Sequence, residues 1–125
     1  MARWILLAGT LAALTGVLLG AFGAHGLRSV VTPERLAVFH TGVQYQLIHA
    51  LALVALGIWL RQLPATPLLH AAGLALVVGM VLFSGSLYAL VVLDMPKLGL
   101  ITPIGGTAFI VGWGLFAAAV WRLAD

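Results

Sequence analysis

The 125-residue chain has no cysteine and few charged residues of either sign. Without cysteine it cannot form a disulfide, a thiolate nucleophile or a cysteine-ligated metal site. Three acidic and six basic residues give 7% charge, far less than the surface of a water-soluble domain of this size carries. The bases are spread singly and form no patch, which excludes a nucleic-acid interface.

Apolar residues make up 63% of the chain instead. Four continuously apolar segments, at about 4–24, 42–60, 68–93 and 104–123, are each long enough to cross the roughly 30 Å hydrocarbon layer as a helix. Their lack of alternation disfavours a β-barrel. We therefore predict an all-α fold, a four-helix bundle embedded in the lipid bilayer as a single domain over 1–125, with short loops and both termini on one face.

Threonine–proline pairs divide the segments at 32–33, 66–67 and 102–103. In each pair the hydroxyl can cap a helix and the proline fits the first helical position, so we predict three helix starts there. The polar run 33–41 predicts a short interfacial helix before the second span, or an outward extension of that span, with a bend at Gly42. Pro96 is expected to end the third helix.

The first apolar run is predicted to be a retained span and not a signal peptide. Cleavage after Ala24 would place Phe22 where a small side chain is required. Basic residues are nearly balanced between the two sides of the membrane. A slight excess on the side of the termini leads us to expect an inner (plasma) membrane protein with cytoplasmic termini. That side also has an aromatic and cationic belt, formed by Trp4, Trp59, Trp121, Arg3, Arg61 and Arg122.

Polar residues of the separate spans fall in one half of the membrane. At about 1.5 Å rise per residue, Tyr45 and Ser84 lie at similar depth, roughly 25 Å from the side of the termini. Tyr45, Gln46 and His49 share one helix face, and Ser84 and Tyr88 share another. Both faces should turn inward, because unpaired polar groups in hydrocarbon are costly. Small residues predicted to allow close helix packing within the chain are Gly16, Gly20, Gly105, Gly106 and Gly112.

Four motifs occur in series: GAFGAHGL (20–27), GVQYQLIH (42–49), LFSGSLY (82–88) and TPIGG followed by GW (102–113). Together they resemble the YgdD-like family of small four-helix membrane proteins, which has no established activity. The resemblance implies the fold and the membrane location but no reaction. The candidate site residues that it shares with the polar cluster are His25, Tyr45, Gln46, His49, Ser84, Ser86, Tyr88 and Thr102.

His49 has several interpretations, including a proton relay, a metal ligand, a haem ligand and a neutral ring held between Tyr45 and a serine of the next helix. We favour the held ring, since His25 and His49 lie at different depths and a metal site needs more ligands. His25 is interpreted as a cap on backbone carbonyls in a turn. No cofactor or metal is predicted.

Catalytic machinery is not recognisable in the sequence. Serines near His49 lack an inward carboxylate, and Asp94 is interpreted as a solvated helix end paired with Lys97. We predict a non-enzymatic module that binds a small ligand or lipid head group at the polar cluster, or an accessory subunit of a larger membrane complex. A homo-oligomer forming a small-solute transporter or channel is the first alternative, and a haem- or metal-binding protein is the second.

Overall fold

The computed structural model describes residues 2–64 and 66–124, and all regular structure in them is helical. Four α-helices follow in order, α1 (Arg3–His25), α2 (Pro33–Leu60), α3 (Pro67–Val92) and α4 (Thr102–Leu123), with a 3₁₀ helix at Pro96–Leu100 between the last two. Each α-helix is long and apolar enough to cross a membrane. The predicted all-α membrane protein with four spans is confirmed.

Neighbouring helices in the chain are neighbours in space. α1 packs along α2, α2 along α3, and α3 along α4, whereas the backbones of α1 and α4 do not approach each other within the described residues. Consecutive helices run antiparallel. This is shown for α1 and α2 by Gly9 against Ala50 and Gly23 against Phe39, and for α3 and α4 by Gly105 against Phe83 and Gly112 against Leu76. The start of α1 and the end of α4 therefore lie at the same end of the bundle, which is called the termini end. The opposite end is called the loop end.

Two apolar clusters hold the bundle together. The larger one, towards the termini end, is built around the fully buried side chains of Ile5, Leu53, Leu56, Leu69 and Leu76. The smaller one lies at the loop end and consists of Leu27, Phe39, Val43 and Val91. The hydrogen bonds between helices that Gln46, His49, Ser84 and Tyr88 make lie between these clusters, in what is here called the polar layer.

The polar run at 33–41 belongs to α2, which is continuous from Pro33 to Leu60. It is therefore an extension of the second span, and the prediction of a separate interfacial helix is wrong. Gly42 lies within this helix, buried against the Tyr88 ring. Residues 33–41 are helical without interruption up to Leu60, so no loop separates them from the span.

Only one of the three threonine–proline pairs begins its helix with a hydroxyl cap. The Thr32 hydroxyl accepts a hydrogen bond of 3.2 Å from the Arg35 backbone N–H. Thr66 precedes α3, but its buried hydroxyl has no partner among the described residues. Thr102 is already inside α4, and its hydroxyl bonds to Ser86 instead of capping.

The end of α3 is fixed by a contact from α2. The helix stops at Val92, before Pro96, and Asp94 adopts a left-handed conformation with φ of 53°. The Asp94 carboxylate lies 3.0 Å from the Arg35 guanidinium, which also donates to the Leu90 carbonyl at 3.2 Å. The predicted pairing of Asp94 with Lys97 is therefore wrong, because the extension of α2 brings a cation from far away in sequence.

Candidate functional site

Gln46 joins three helices in the polar layer. Its side chain is 8% exposed, and its amide nitrogen donates to the Ala12 carbonyl and to the Thr15 hydroxyl of α1, both at 2.8 Å. Its amide oxygen accepts a 2.6 Å bond from the Tyr88 hydroxyl of α3. Both amide hydrogens and the oxygen are therefore used within the protein.

The two serines of α3 pair with different neighbours. The Ser84 hydroxyl, almost fully buried, donates to the Gly42 carbonyl of α2 at 2.7 Å. The Ser86 hydroxyl bonds to Thr102 at the start of α4 and to the Phe83 carbonyl of its own helix. α3 is thus hydrogen-bonded to helices on both of its sides.

His49 connects α2 to α4. The Trp113 indole N–H donates to His49 Nε2 at 3.0 Å, and His49 Nδ1 lies 2.7 Å from the Tyr45 carbonyl. Since an indole nitrogen only donates, Nε2 must accept, and the proton must be on Nδ1. These two bonds specify a neutral ring with both nitrogens occupied. Its partner is a tryptophan of α4 and not the predicted serine of the next helix.

Aromatic rings surround the His49 imidazole. Phe109 of α4 stacks on it with 3.7 Å between ring centroids, and Tyr45 of α2 stacks at 6.1 Å. Tyr45 also lies against Phe83, at 4.5 Å between centroids. Because the backbones of α2 and α4 are not in contact, side chains connect the two helices. They are these rings, the Trp113 bond and, nearer the termini end, Trp59 stacked on Phe116.

The sequence-predicted residues do not form one site. Gln46, Ser84 and Tyr88 meet where α1, α2 and α3 converge, whereas His49 faces α4. Tyr45 is 39% exposed, so its face is only partly turned inward. His25 is exposed at the last turn of α1, away from these contacts.

The predicted packing glycines differ in how close their neighbours come. A Cβ on Gly16 would lie 2.7 Å from the Leu47 side chain, and one on Gly105 would collide with the Phe83 backbone. Gly20 faces Val43 and Gly112 faces Leu76. Gly106 has only an ordinary contact with the Phe83 ring. Close approach of backbones therefore requires glycine most strictly at Gly105.

Two side chains in the hydrogen bonds of the polar layer, Trp113 and Thr15, were not among the sequence candidates. Trp113 occurs in the GW pair of the last motif, and Thr15 is a polar residue within the first span, which was the available signal for it. Its hydroxyl also donates to the Leu11 carbonyl at 2.9 Å. The Ala12 and Gly42 carbonyls carry no sequence signal, since every residue has one.

This arrangement offers structural hydrogen bonds and few free chemical groups. The bound nitrogens of His49 leave no lone pair for a metal without breaking the Trp113 contact. Among the described residues, no group of three or more histidine, aspartate or glutamate side chains could hold a metal ion. Of the residues that the structure describes, Thr66 has the only buried polar side-chain atom without a hydrogen-bond partner.

Clefts occur at the termini end, away from the polar layer. One of about 710 Å³ is lined by Ala2, Arg3, Leu6, Leu7, Thr10, Leu60, Arg61 and Leu63. A second of about 230 Å³ is lined by Thr66, Pro67, Leu68, Arg122 and Leu123. Neither is lined by Gln46, His49 or Ser84.

Comparison with known proteins gives a consistent result. The family described as "Protein of unknown function (DUF423)" matches residues 19–106. The chain is 46% identical to the UPF0382 membrane protein YwdK of Bacillus subtilis over 111 residues, which cover 89% of this chain and 90% of that protein. It is 39% identical to a UPF0382 membrane protein of Staphylococcus aureus over 124 residues, 98% of each chain.

A more distant relative is the UPF0382 inner membrane protein YgdD of Escherichia coli. It is 34% identical over 121 residues, which cover 97% of this chain and 92% of that protein. No solved structure matches this chain. The relatives therefore share nearly the full length of the four-helix chain.

Proposed function

The chain belongs to the DUF423 family of membrane proteins of unknown function, and we propose that it is a non-enzymatic module that binds components of the bilayer on the outside of its bundle. The observation that carries this proposal is the pairing of Gln46, His49 and Ser84 inside the protein. Each of these groups already has its hydrogen-bond partners within the protein, so a solute bound there would first have to displace those partners.

The outer helices supply the surface for such binding. In their most apolar stretches, α1 is 17% buried and α4 22% buried, against 44% for α2 and 39% for α3. The exposed side chains of α1 and α4 are mostly large and apolar, among them Leu11, Leu14, Leu18, Ile104 and Ile110. This surface suits lipid chains or the apolar helices of a larger membrane complex.

We also propose an inner-membrane location with cytoplasmic termini. The E. coli relative is named an inner membrane protein. Arg3, Arg61 and Arg122 are at the termini end, together with the exposed Trp121, as expected for a cytoplasmic interface. Reporter fusions after residue 125 test this orientation: a cytoplasmic fluorescent protein should fold there and a periplasmic phosphatase should be inactive.

The proposal is tested by extracting the protein with its native membrane into polymer nanodiscs and measuring the masses of the molecules that stay bound to it. We expect bound lipid or a bound protein on the wild type, and also on Ser84→Ala if that variant is folded. A small polar solute that Ser84→Ala loses without a change in melting would place the ligand in the polar layer and contradict the proposal. Solute flux into proteoliposomes would contradict it in favour of a transporter.

A further inference from the structure

The larger cleft at the termini end combines two cations with an apolar wall. Arg3 begins α1 and Arg61 follows the end of α2, and both line the same space of about 710 Å³. Both side chains are exposed, and no ion pair to either is present among the described residues. The described acids, Glu34 and Asp94, are at the loop end. Two guanidinium groups at one opening attract an anion.

The rest of the wall is suited to hydrocarbon. Leu6 and the half-exposed Leu7 line the cleft along the first turns of α1. Thr10, one turn further, turns its hydroxyl to the carbonyls of Leu6 and Leu7 at 2.9 and 3.2 Å. Its polar atom is therefore used by its own helix, and the wall stays apolar as it runs from the interface into the bilayer.

We propose that this cleft binds an anionic phospholipid of the leaflet at the termini end. The phosphodiester accepts hydrogen bonds from Arg3 and Arg61, whose planar guanidinium groups match phosphate oxygens. The upper part of one acyl chain lies along Leu6 and Leu7. The volume falls in the range of sites that hold a small molecule. This inference deepens the proposed function by naming the lipid class and its site.

The test uses the full chain in nanodiscs of equimolar phosphatidylcholine and phosphatidylglycerol, with bound lipid read by native mass spectrometry. We expect phosphatidylglycerol to be enriched on the wild type. Arg3→Gln and Arg61→Gln should each lower that enrichment roughly fivefold, and the double variant roughly 25-fold, as expected for one surface cation each. Arg122→Gln is the matched control, because it removes the same charge at the same end but outside this cleft.

A second variant tests the cleft without changing charge. Leu7→Trp fills the space beside the arginines and should lower phosphatidylglycerol enrichment although both cations remain. The enrichment on the wild type should also fall as salt is raised, because the contacts are at the membrane surface. This measurement needs no variant and stands even if Arg61→Gln does not fold.

Three results would overturn the inference. They are no enrichment on the wild type, an equal loss for Arg122→Gln, and full enrichment on a folded Leu7→Trp. Extraction of the protein from native membranes distinguishes failure of this inference from failure of the proposed function. Another bound component without preference for phosphatidylglycerol rejects the site and leaves the function, whereas no bound component rejects the function as well.

Discussion

Replacing Gln46 by leucine is the sharpest test of the polar layer. The change keeps the size of the side chain and removes the three hydrogen bonds that it makes to Ala12, Thr15 and Tyr88. At about 0.6 kcal/mol for each interhelical bond in a membrane protein, the loss is about 2 kcal/mol. The Tyr88 hydroxyl, left without its acceptor, adds about 1 kcal/mol.

The expected loss of about 2–3 kcal/mol is measured by reversible unfolding in mixed micelles, where 2 kcal/mol changes the folded-to-unfolded ratio about thirtyfold. Gln44→Leu is the control, since it removes the same amide from the exposed side of the same helix. A cycle with Tyr88→Phe should give a coupling energy of about 0.6–1.7 kcal/mol. Equal unfolding of the Gln46 and Gln44 variants would refute the reasoning.

Three further predictions concern single contacts, each measured by the same unfolding assay. Trp113→Phe keeps an aromatic ring but loses the bond to His49, so it should cost about 0.6–1.7 kcal/mol; no change would mean that this bond does not hold α4. Gly105→Ala drives a methyl group into the α3 backbone and should cost about 1–3 kcal/mol, while Gly114→Ala, with open space around it, should not destabilise. Thr66→Val removes a buried hydroxyl that has no partner among the described residues and should be neutral or stabilising; a clear loss of stability would contradict this and show that the hydroxyl is bonded.

Helix number and approximate position follow from composition because the bilayer demands long apolar helices. The polar layer could also be located, since helical rise converts sequence distance into depth. The start of α2 could not be decided, because Gly42 is compatible with a bend and with a continuous helix. Hydropathy does not distinguish a bend from a continuous helix, whereas the packing of Gly42 against Tyr88 does.

Partners of the polar side chains were harder to predict than their depth. One residue along a helix turns the side chain by about 100°, so Tyr45 and Gln46 face different neighbours although they are adjacent. The acceptors of Gln46 and Ser84 include backbone carbonyls, which sequence patterns do not mark. Arg35, near the start of α2, pairs with Asp94, which follows α3, and that contact depends on how far α2 extends at the loop end.

The position of each partner in the chain has a consequence for biosynthesis. Gln46 can bond to α1 as soon as the first hairpin has left the ribosome and entered the bilayer, and Tyr88 completes its set one helix later. His49 must wait for Trp113 on the last helix to be made. Its Nε2 atom is then the last of these groups to exchange contact with water or the insertion machinery for a partner within the protein. Insertion of α4 therefore completes the assembly.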